Sequence, residues 1–223
     1  MKAVVYVVAK APQPGVSKTR LSPPLTLDQA ADLSRAFLLD TPGVVAAAGL
    51  EARLICRDQV ERRALERLTT GCIPAQPQTG RGLGDALVSA FRLGLTGRYD
   101  AVAVLGSDSP TLSPVTLFQG IALLRGGAAD VTLGPCDDGG YYFLGARQLH
   151  ESLFGDMPWG TGGVCAETLA RAATAGLRTH LLDRWYDVDD AASLSHLRCH
   201  LGQLPMQIAP HTRLALAAMD EER

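Results

Sequence analysis

Lysine is nearly missing from this chain. Of 21 basic residues only Lys2, Lys10 and Lys18 are lysines, the rest being arginine. Long apolar runs are missing as well. None approaches the roughly 20 residues that span a bilayer, so no membrane partner is expected. The formal net charge of -2 supplies no general basic field, which argues against nucleic acid as a partner. The five cysteines, Cys56, Cys72, Cys136, Cys165 and Cys199, are odd in number and form no CxxC pair. That pattern predicts free thiols in a reducing cytoplasm and no structural zinc. The beginning, Met1-Lys2 and a short Val-rich run, has no signal-peptide cleavage pattern, which fits a cytoplasmic location. Internal repeats and low-complexity segments are also missing.

What is present fits one substantial core: 223 residues, 47% hydrophobic and 20% charged, suit an ordinary globular chain. Strand-like and helix-like segments alternate. Residues 3–9, 54–56, 101–105, 130–134, 140–145 and 177–182 read as strands. Helices are predicted near 26–40, 58–68, 84–95, from Ser113-Pro114, at 161–175 and at 189–200. Alternation of this kind predicts an α/β fold, a mainly parallel sheet with helices on both faces. Residues 1–200 form a single domain in this reading, and 201–223 a C-terminal tail or packing helix. Ligands of such sheets bind beyond the carboxyl ends of the strands, and each candidate motif falls at a strand end.

The first motif is Lys10-Ala11-Pro12-Gln13-Pro14-Gly15-Val16-Ser17-Lys18-Thr19-Arg20. Pro12, Pro14 and Gly15 forbid regular structure. Two of the three lysines fall here, a concentration that points to a polyphosphate site. Lys18 and Arg20 would neutralise phosphate oxygens, supported by Lys10, while backbone N–H groups near Gly15 come close. The alternative is a solvated surface loop. The central strand ends at Gly106-Ser107-Asp108-Ser109-Pro110, where Asp108 suits a Mg²⁺ that keeps its waters and bridges phosphates. Otherwise Asp108 merely opens a turn.

Asp187 and Asp189, two apart in Asp187-Val188-Asp189-Asp190, point to one side of an extended segment. Asp189 or Asp190 could instead cap the next helix; the expectation is that Asp187 faces the site and Asp189 starts the helix. Asp137-Asp138-Gly139-Gly140 reads both as a hairpin turn and as a carrier of a substrate-binding carboxylate. Pro158-Trp159-Gly160-Thr161-Gly162-Gly163 precedes a helix and could receive an anion, or Thr161 could be an N-cap and Trp159 a core anchor. Gly80-Arg81-Gly82-Leu83-Gly84 has a similar character, with Arg81 near a nucleotide. It is not a dinucleotide fingerprint, and no G-x-S-x-G nucleophile elbow occurs. His196 and His200, four apart on a helix near Cys199, lack the partners a metal site needs.

Taken in order, Ala9-Lys10-Ala11-Pro12, Pro14-Gly15, Lys18-Thr19-Arg20-Leu21, Gly106-x-Asp108-x-Pro110, Gly134-Pro135 to Tyr142, Pro158-Trp159-Gly160-Thr161 and Tyr186-Asp187-Val188-Asp189 resemble one family. It is the radical-SAM/selenodomain-associated transferases of the nucleotide-diphospho-sugar transferase (GT-A) superfamily. The resemblance spans about residues 3–197. More distantly the chain is similar to phospholactate guanylyltransferases and molybdenum-cofactor nucleotidyltransferases. Ser109 stands where Cys is frequent, and Gly162-Gly163 follows Thr161. The resemblance implies a Rossmann-like GT-A fold, a nucleotide at the sheet's carboxyl edge and a divalent metal on Asp108.

The resulting expectation is a transferase with Lys18, Arg20 and Asp108 as catalytic residues. Its nucleotide would lie on Lys10, Ala11, Pro12, Gly15, Lys18, Arg20, Arg81 and Gly82. Its acceptor would meet Asp137, Asp138, Gly139, Gly140, Trp159, Gly160 and Thr161, and Mg²⁺ or Mn²⁺ would sit on Asp108, Asp187 and Asp189. The donor is an NTP if a nucleotidyl group moves to a small phosphorylated or phosphonate acceptor. It is an NDP-sugar if a glycosyl group moves, with Asp137 or Asp138 as base. A catalytically silent nucleotide-binding protein is the third reading. A homodimer is compatible with all of them.

Overall fold

The structure, a computed structural model, describes residues 2–221. Strand and helix alternate from β1 (Ala3–Val8) through α1 (Leu27–Ala47), β2 (Glu51–Cys56), α2 (Gln59–Leu68), β3 (Ala75–Pro77), α3 (Leu83–Thr96), β4 (Ala101–Leu105) and α4 (Pro114–Arg125). The hairpin of β5 (Val131–Pro135) and β6 (Tyr141–Ala146) follows, then α5 (Val164–Thr174), β7 (Thr179–Leu181), α6 (Ala191–Gln203) and α7 (Pro210–Glu221). One seven-stranded sheet results, ordered β3-β2-β1-β4-β6-β5-β7. Only β6 runs against its neighbours, pairing antiparallel with both β4 and β5. The fold is Rossmann-like α/β.

The strands are nearly continuous apolar runs because both faces of the sheet are covered. Along β1, Val5 and Val7 pack toward Leu38 and Val45 of α1 and Leu117 and Ile121 of α4. Val4 and Tyr6 face Ala90 and Phe91 of α3 on the other side. The β4 register against β1, Val4 beside Val102 and Val7 beside Leu105, brings the ends of both strands to the same edge. Antiparallel β6 begins at that edge with Tyr141.

Several element ends follow from local chemistry. Thr26 caps α1 through a reciprocal box with Gln29, and Ser113 caps α4 ahead of Pro114. Helix α1 outruns its predicted end at residue 40, continuing through Pro42 to Ala47. Proline removes one rung of the helical ladder, but the burial of Leu38 and Val45 against the sheet carries the helix across it. The three-residue strand β3, absent from the strands expected from the sequence, pairs in parallel with β2.

The segment after residue 200 resolves into α7, which lies along α1. Residues 222–223 lie outside the described residues. The helix is tied to α1 by a buried carboxylate: Asp40 accepts from His211 N–H (3.0 Å), Thr212 N–H (2.9 Å) and Thr212 Oγ1–H (2.6 Å). A third apolar cluster joins α1, α6 and α7. It contains Leu33 and Phe37 of α1, Leu194 and Leu197 of α6, and Leu216 of α7. Leu21, Leu25 and Val188 belong to the same cluster. The basic loop after β1 and the acidic segment before α6 are therefore mounted on one apolar platform.

Candidate active site

A cavity of about 880 Å³ opens at the carboxyl ends of β1, β2 and β4. Of the sequence-predicted residues it is lined by Lys10, Ala11, Lys18, Arg20, Arg81, Gly82, Asp108 and Asp189. The chain brings these together from positions as much as 179 residues apart (189 − 10). Pro12 and Gly15 lie in the same loop without lining the cavity. Gly15 takes a left-handed φ of 73° there.

Lys18 is at the centre. Its ammonium lies 2.9 Å from Asp108 Oδ1 and 2.6 Å from Asp189 Oδ1, with the lysine side chain only 7% exposed. The Phe37 ring stands below it, 5.8 Å from Nζ to centroid. Burial works against the charge, but the two carboxylates outweigh it and hold the ammonium above its ordinary pKa. The backbone of Lys18 is left-handed, φ 52°, a conformation that costs a non-glycine residue about 1 kcal/mol or more. The 3-10 turn Thr19–Leu21 follows directly and buries Leu21 in the platform.

Of the cavity's other cations, Arg57 is paired with Asp58 at 3.0 Å. Among the described residues, the side chains of Lys10, Arg20 and Arg81 have no hydrogen-bond or ion-pair partner, and all three are exposed. Arg81 is offered by a built turn: Asp85 Oδ2 accepts the backbone N–H groups of Arg81 (2.8 Å) and Gly82 (3.0 Å). Gly80, at φ 94°, leaves room for that carboxylate, since a Cβ there would fall 2.4 Å from Asp85. One lysine is thus fully neutralised, while Lys10, Arg20 and Arg81 face the opening without a direct partner, Arg20 standing near enough to Asp190 to join the Ser193 N–H in holding its pKa down.

The acidic segment departs from expectation. Asp189 does not start the helix; Asp190 does, in a capping box with Ser193. Ser193 N–H donates to Asp190 at 2.8 Å, and Ser193 Oγ accepts the N–H groups of Asp189 and Asp190. This local pairing leaves the Asp189 carboxylate to Lys18. Asp187 does not line the cavity. Its Oδ1 accepts from Ser109 Oγ (2.6 Å) and its Oδ2 from Cys136 Sγ (3.2 Å). Burial, only partly offset by the Ser109 hydrogen bond, pushes its pKa up to about 6. Val188 N–H donates to the Asp108 carbonyl at 2.9 Å, which fixes the segment against the end of β4.

The two glycine-rich loops read as acceptor sites meet each other beside the cavity and do not line it. Cys165 N–H donates to the Gly139 carbonyl at 2.9 Å. Gly139 has φ 86°, and a Cβ there would fall 2.0 Å from the Gly162 carbonyl oxygen, so only glycine permits this contact. Asp138 Oδ1 accepts Gly140 N–H at 2.8 Å, bracing the turn. Thr161 is not the N-cap of α5; Gly163 is, and Thr161 Oγ1 donates to the Pro158 carbonyl. Trp159 stacks edge-on to Tyr141, 6.4 Å between centroids, and covers Gly84. It is a packing anchor. Asp137 and Gly160 lie in these same two loops.

Sequence reasoning missed the far end of the cavity. Ile55, Cys56 and Arg57 at the end of β2, Glu61 on α2 and Gln78 after β3 line it. The rule that drew attention to the end of β1 applies equally to β2. His196 and His200 form an aromatic cluster with Tyr186, whose hydroxyl lies 2.9 Å from His200 Nδ1. Among the described residues no group of three or more His, Cys, Asp or Glu side chains could alone hold a metal. All five cysteines are free. No helix of the described residues is long and apolar enough to cross a membrane.

Solved structures with the same architecture are numerous. A crystal structure from Desulfovibrio desulfuricans G20, provisionally named a nucleotide-diphospho-sugar transferase, superposes with a TM-score of 0.90 at 26% identity, covering 99% of this chain and 96% of that one. CMP:2-keto-3-deoxy-manno-octonic acid synthetase, complexed with CTP, superposes at 0.58 with 16% identity over 91% of this chain and 99% of that one. Rv0371c from Mycobacterium tuberculosis H37Rv, in complex with manganese, superposes at 0.50 with 19% identity over 88% and 98%. At identities below a quarter these last two likenesses speak for the fold alone. No curated protein matches the chain. Residues 41–161, which carry Asp108, the Asp137–Gly140 turn and the start of the second glycine-rich loop, match a bacterial family. The chain belongs to that family, DUF2064, described as an uncharacterized protein conserved in bacteria.

Proposed function

We propose that the chain is a nucleotide-dependent transferase that moves a nucleotidyl group from an NTP to a small phosphorylated or phosphonate acceptor, releasing pyrophosphate. The observation that carries this reading is the cavity's division of charge. Lys10, Arg20 and Arg81 stand unpaired around an opening at the sheet's carboxyl edge, while Asp108, Lys18 and Asp189 form a closed ionic chain at its floor. Unpaired cations at such an edge suit polyphosphate. The resemblance to nucleotidyltransferases and the CTP-bound synthetase of the same fold support the same reading.

A divalent cation fits the floor. Asp108 Oδ1 and Asp189 Oδ1 already converge on one positive charge at 2.9 and 2.6 Å, and hard carboxylate oxygens suit Mg²⁺ or Mn²⁺. Two carboxylates suffice for an ion whose other ligands are water and phosphate. Asp108 and Asp189 would hold it, and when bound it would supply positive charge against the polyphosphate. Asp187, expected among the ligands, braces the pair from behind through Ser109.

In this reading the acceptor is already an anion and requires no base. Its oxygen attacks the α-phosphorus, the bond to the β-phosphate bridging oxygen breaks, and the charge leaves with pyrophosphate. Arg20 and Lys10 neutralise that developing charge. Arg81 and Gly82 border the nucleotide at the other end. The paired turns at Asp137-Asp138-Gly139-Gly140 and Gly160-Thr161 flank the acceptor's approach past Tyr141.

Glycosyl transfer from an NDP-sugar is the second reading, favoured by the provisional name of the Desulfovibrio relative. It requires a base for the acceptor hydroxyl, and Asp137 or Asp138 would serve. Incubating the protein with each NTP, Mg²⁺ and a panel of phosphorylated acceptors separates the two. Pyrophosphate release supports nucleotidyl transfer. Release of NDP from an NDP-sugar, with no pyrophosphate from any NTP, overturns it.

A further inference from the structure

We propose that Lys18 is a tethered stand-in for the divalent cation. In the free protein it closes the Asp108–Asp189 pair against free metal, and it gives way only when cation and polyphosphate arrive together. The inference rests on the nucleotide-site reading above and adds an order of binding to it.

The argument begins with the lysine's surroundings. Its ammonium reaches both carboxylates at hydrogen-bond distance from a side chain that is 7% exposed. The ammonium holds Oδ1 of each carboxylate, and the two aspartates are 38% and 44% exposed; a divalent ion bound by both carboxylates therefore either takes those oxygens or sits on the neighbouring Oδ2 atoms, close beside the ammonium. To admit it, the ammonium must leave two anions while standing beside a doubly charged ion, and the other carboxylate lining the cavity, Glu61 at its far end, already accepts the Arg57 N–H at 2.9 Å. Like charges at such range repel strongly in a partly desolvated site.

An arriving polyphosphate changes that balance. Its oxygens give the ammonium a new partner in the same cavity, beside Arg20 and Lys10, while the cation takes the carboxylates. The four-carbon lysine stem permits the ammonium to swing without moving the backbone. The backbone is fixed: the left-handed Lys18 is followed by a 3-10 turn whose Leu21 is fully buried. Movement is therefore confined to the side chain, above the Phe37 ring. An arginine on this stem would present a broad planar fork, whereas a compact ammonium fits between two single oxygens. That accounts for a lysine at this position in a chain with only three lysines among its 21 basic residues.

The test is equilibrium binding of Mn²⁺ alone, measured by ultrafiltration and by the loss of the free-ion paramagnetic resonance signal. Lys18→Met is expected to bind Mn²⁺ roughly tenfold more tightly than the natural protein, because a positive charge leaves the site. Lys18→Gln is a second neutral variant with the same expectation, should the first fail to fold. Lys18→Arg keeps the charge and is expected to show no gain. Adding Asp189→Asn to Lys18→Met should abolish the gain. Mn²⁺ binding to Lys18→Met no tighter than to the natural protein would overturn the proposal. If no nucleotide binds but the Mn²⁺ gain appears, the nucleotide-site reading fails while the stand-in role remains. If nucleotide binds and the gain is missing, the stand-in role alone fails.

Discussion

Removing the Asp40 carboxylate tests whether the C-terminal helix is an integral part of this fold. Asp40 sits inside α1, 4% exposed, and takes three hydrogen bonds from the first turn of α7. It thus does for α7 what an N-cap residue does within its own helix. In Asp40→Ala the two donors of Thr212, a residue with no exposure, lose their acceptor and are left in an apolar surround. Hydrogen bonds to a charged group contribute about 1.5–3 kcal/mol each and are not additive. With the His211 N–H free to find water, the net loss should be about 3–5 kcal/mol. Asp40→Asn keeps one oxygen and should lose about half as much. Urea denaturation followed by circular dichroism measures both. Limited proteolysis should also begin to cut between α6 and α7. An alanine variant within about 1 kcal/mol of the natural protein would show that α7 is held by its apolar face alone, and the clamp argument would be wrong.

Three further outcomes are expected. Arg20→Ala and Arg81→Ala, each removing an exposed and unpaired guanidinium, should leave stability within about 0.5 kcal/mol and weaken nucleotide binding roughly tenfold each. Calorimetric titration measures the binding, and a variant that binds equally well removes that arginine from the site. Gly139→Ala should destabilise by about 2 kcal/mol or more, since the added methyl meets the Gly162 carbonyl and the left-handed backbone disfavours it besides; unchanged melting would mean the two turns separate freely. Asp187 gives a pH signature. Its native pKa of about 6 lies above the unfolded value of about 3.9, so its contribution is fully present below the unfolded value and is lost as pH rises through the native one. Asp187→Asn should therefore gain on the natural protein by up to about 3 kcal/mol between about pH 4 and about pH 8. A difference that stays flat with pH in paired denaturation curves contradicts the burial argument.

The features legible in the chain were those written locally. Alternating apolar runs and amphipathic segments announce a covered α/β sheet, because a strand buried on both faces must be apolar throughout. The Pro-Gly interruptions after β1 and the Gly-Ser-Asp ending of β4 announce the edge where ligands bind. Even the helix start at Asp190 was within reach, since Asp190-x-x-Ser193 is a reciprocal capping pattern. Choosing Asp189 as the cap overlooked the serine three places beyond Asp190. The far end of the cavity was missed for a similar reason, as Cys56-Arg57 follows β2 just as Lys10 follows β1.

Other features have no local signature. Lys18 meets Asp189 across 171 residues, and Asp40 meets His211 across another 171. Nothing in the composition around Asp40 separates it from a solvent-facing helical aspartate. Its burial arises only when α7 packs onto α1, and that packing depends on Leu33, Phe37 and Leu216 sharing one cluster. The same cluster takes in Leu21 and Val188, so the residues that aim Lys18 and Asp189 at each other are apolar and belong to neither motif. The charged residues of the site can be named from strand ends, but their mutual distances are set by this platform. Loosening α7 should therefore be felt at the lysine before it is felt at the sheet, because α1 carries both the Asp40 clamp and, within the same turn, the Phe37 ring beneath the Lys18 ammonium.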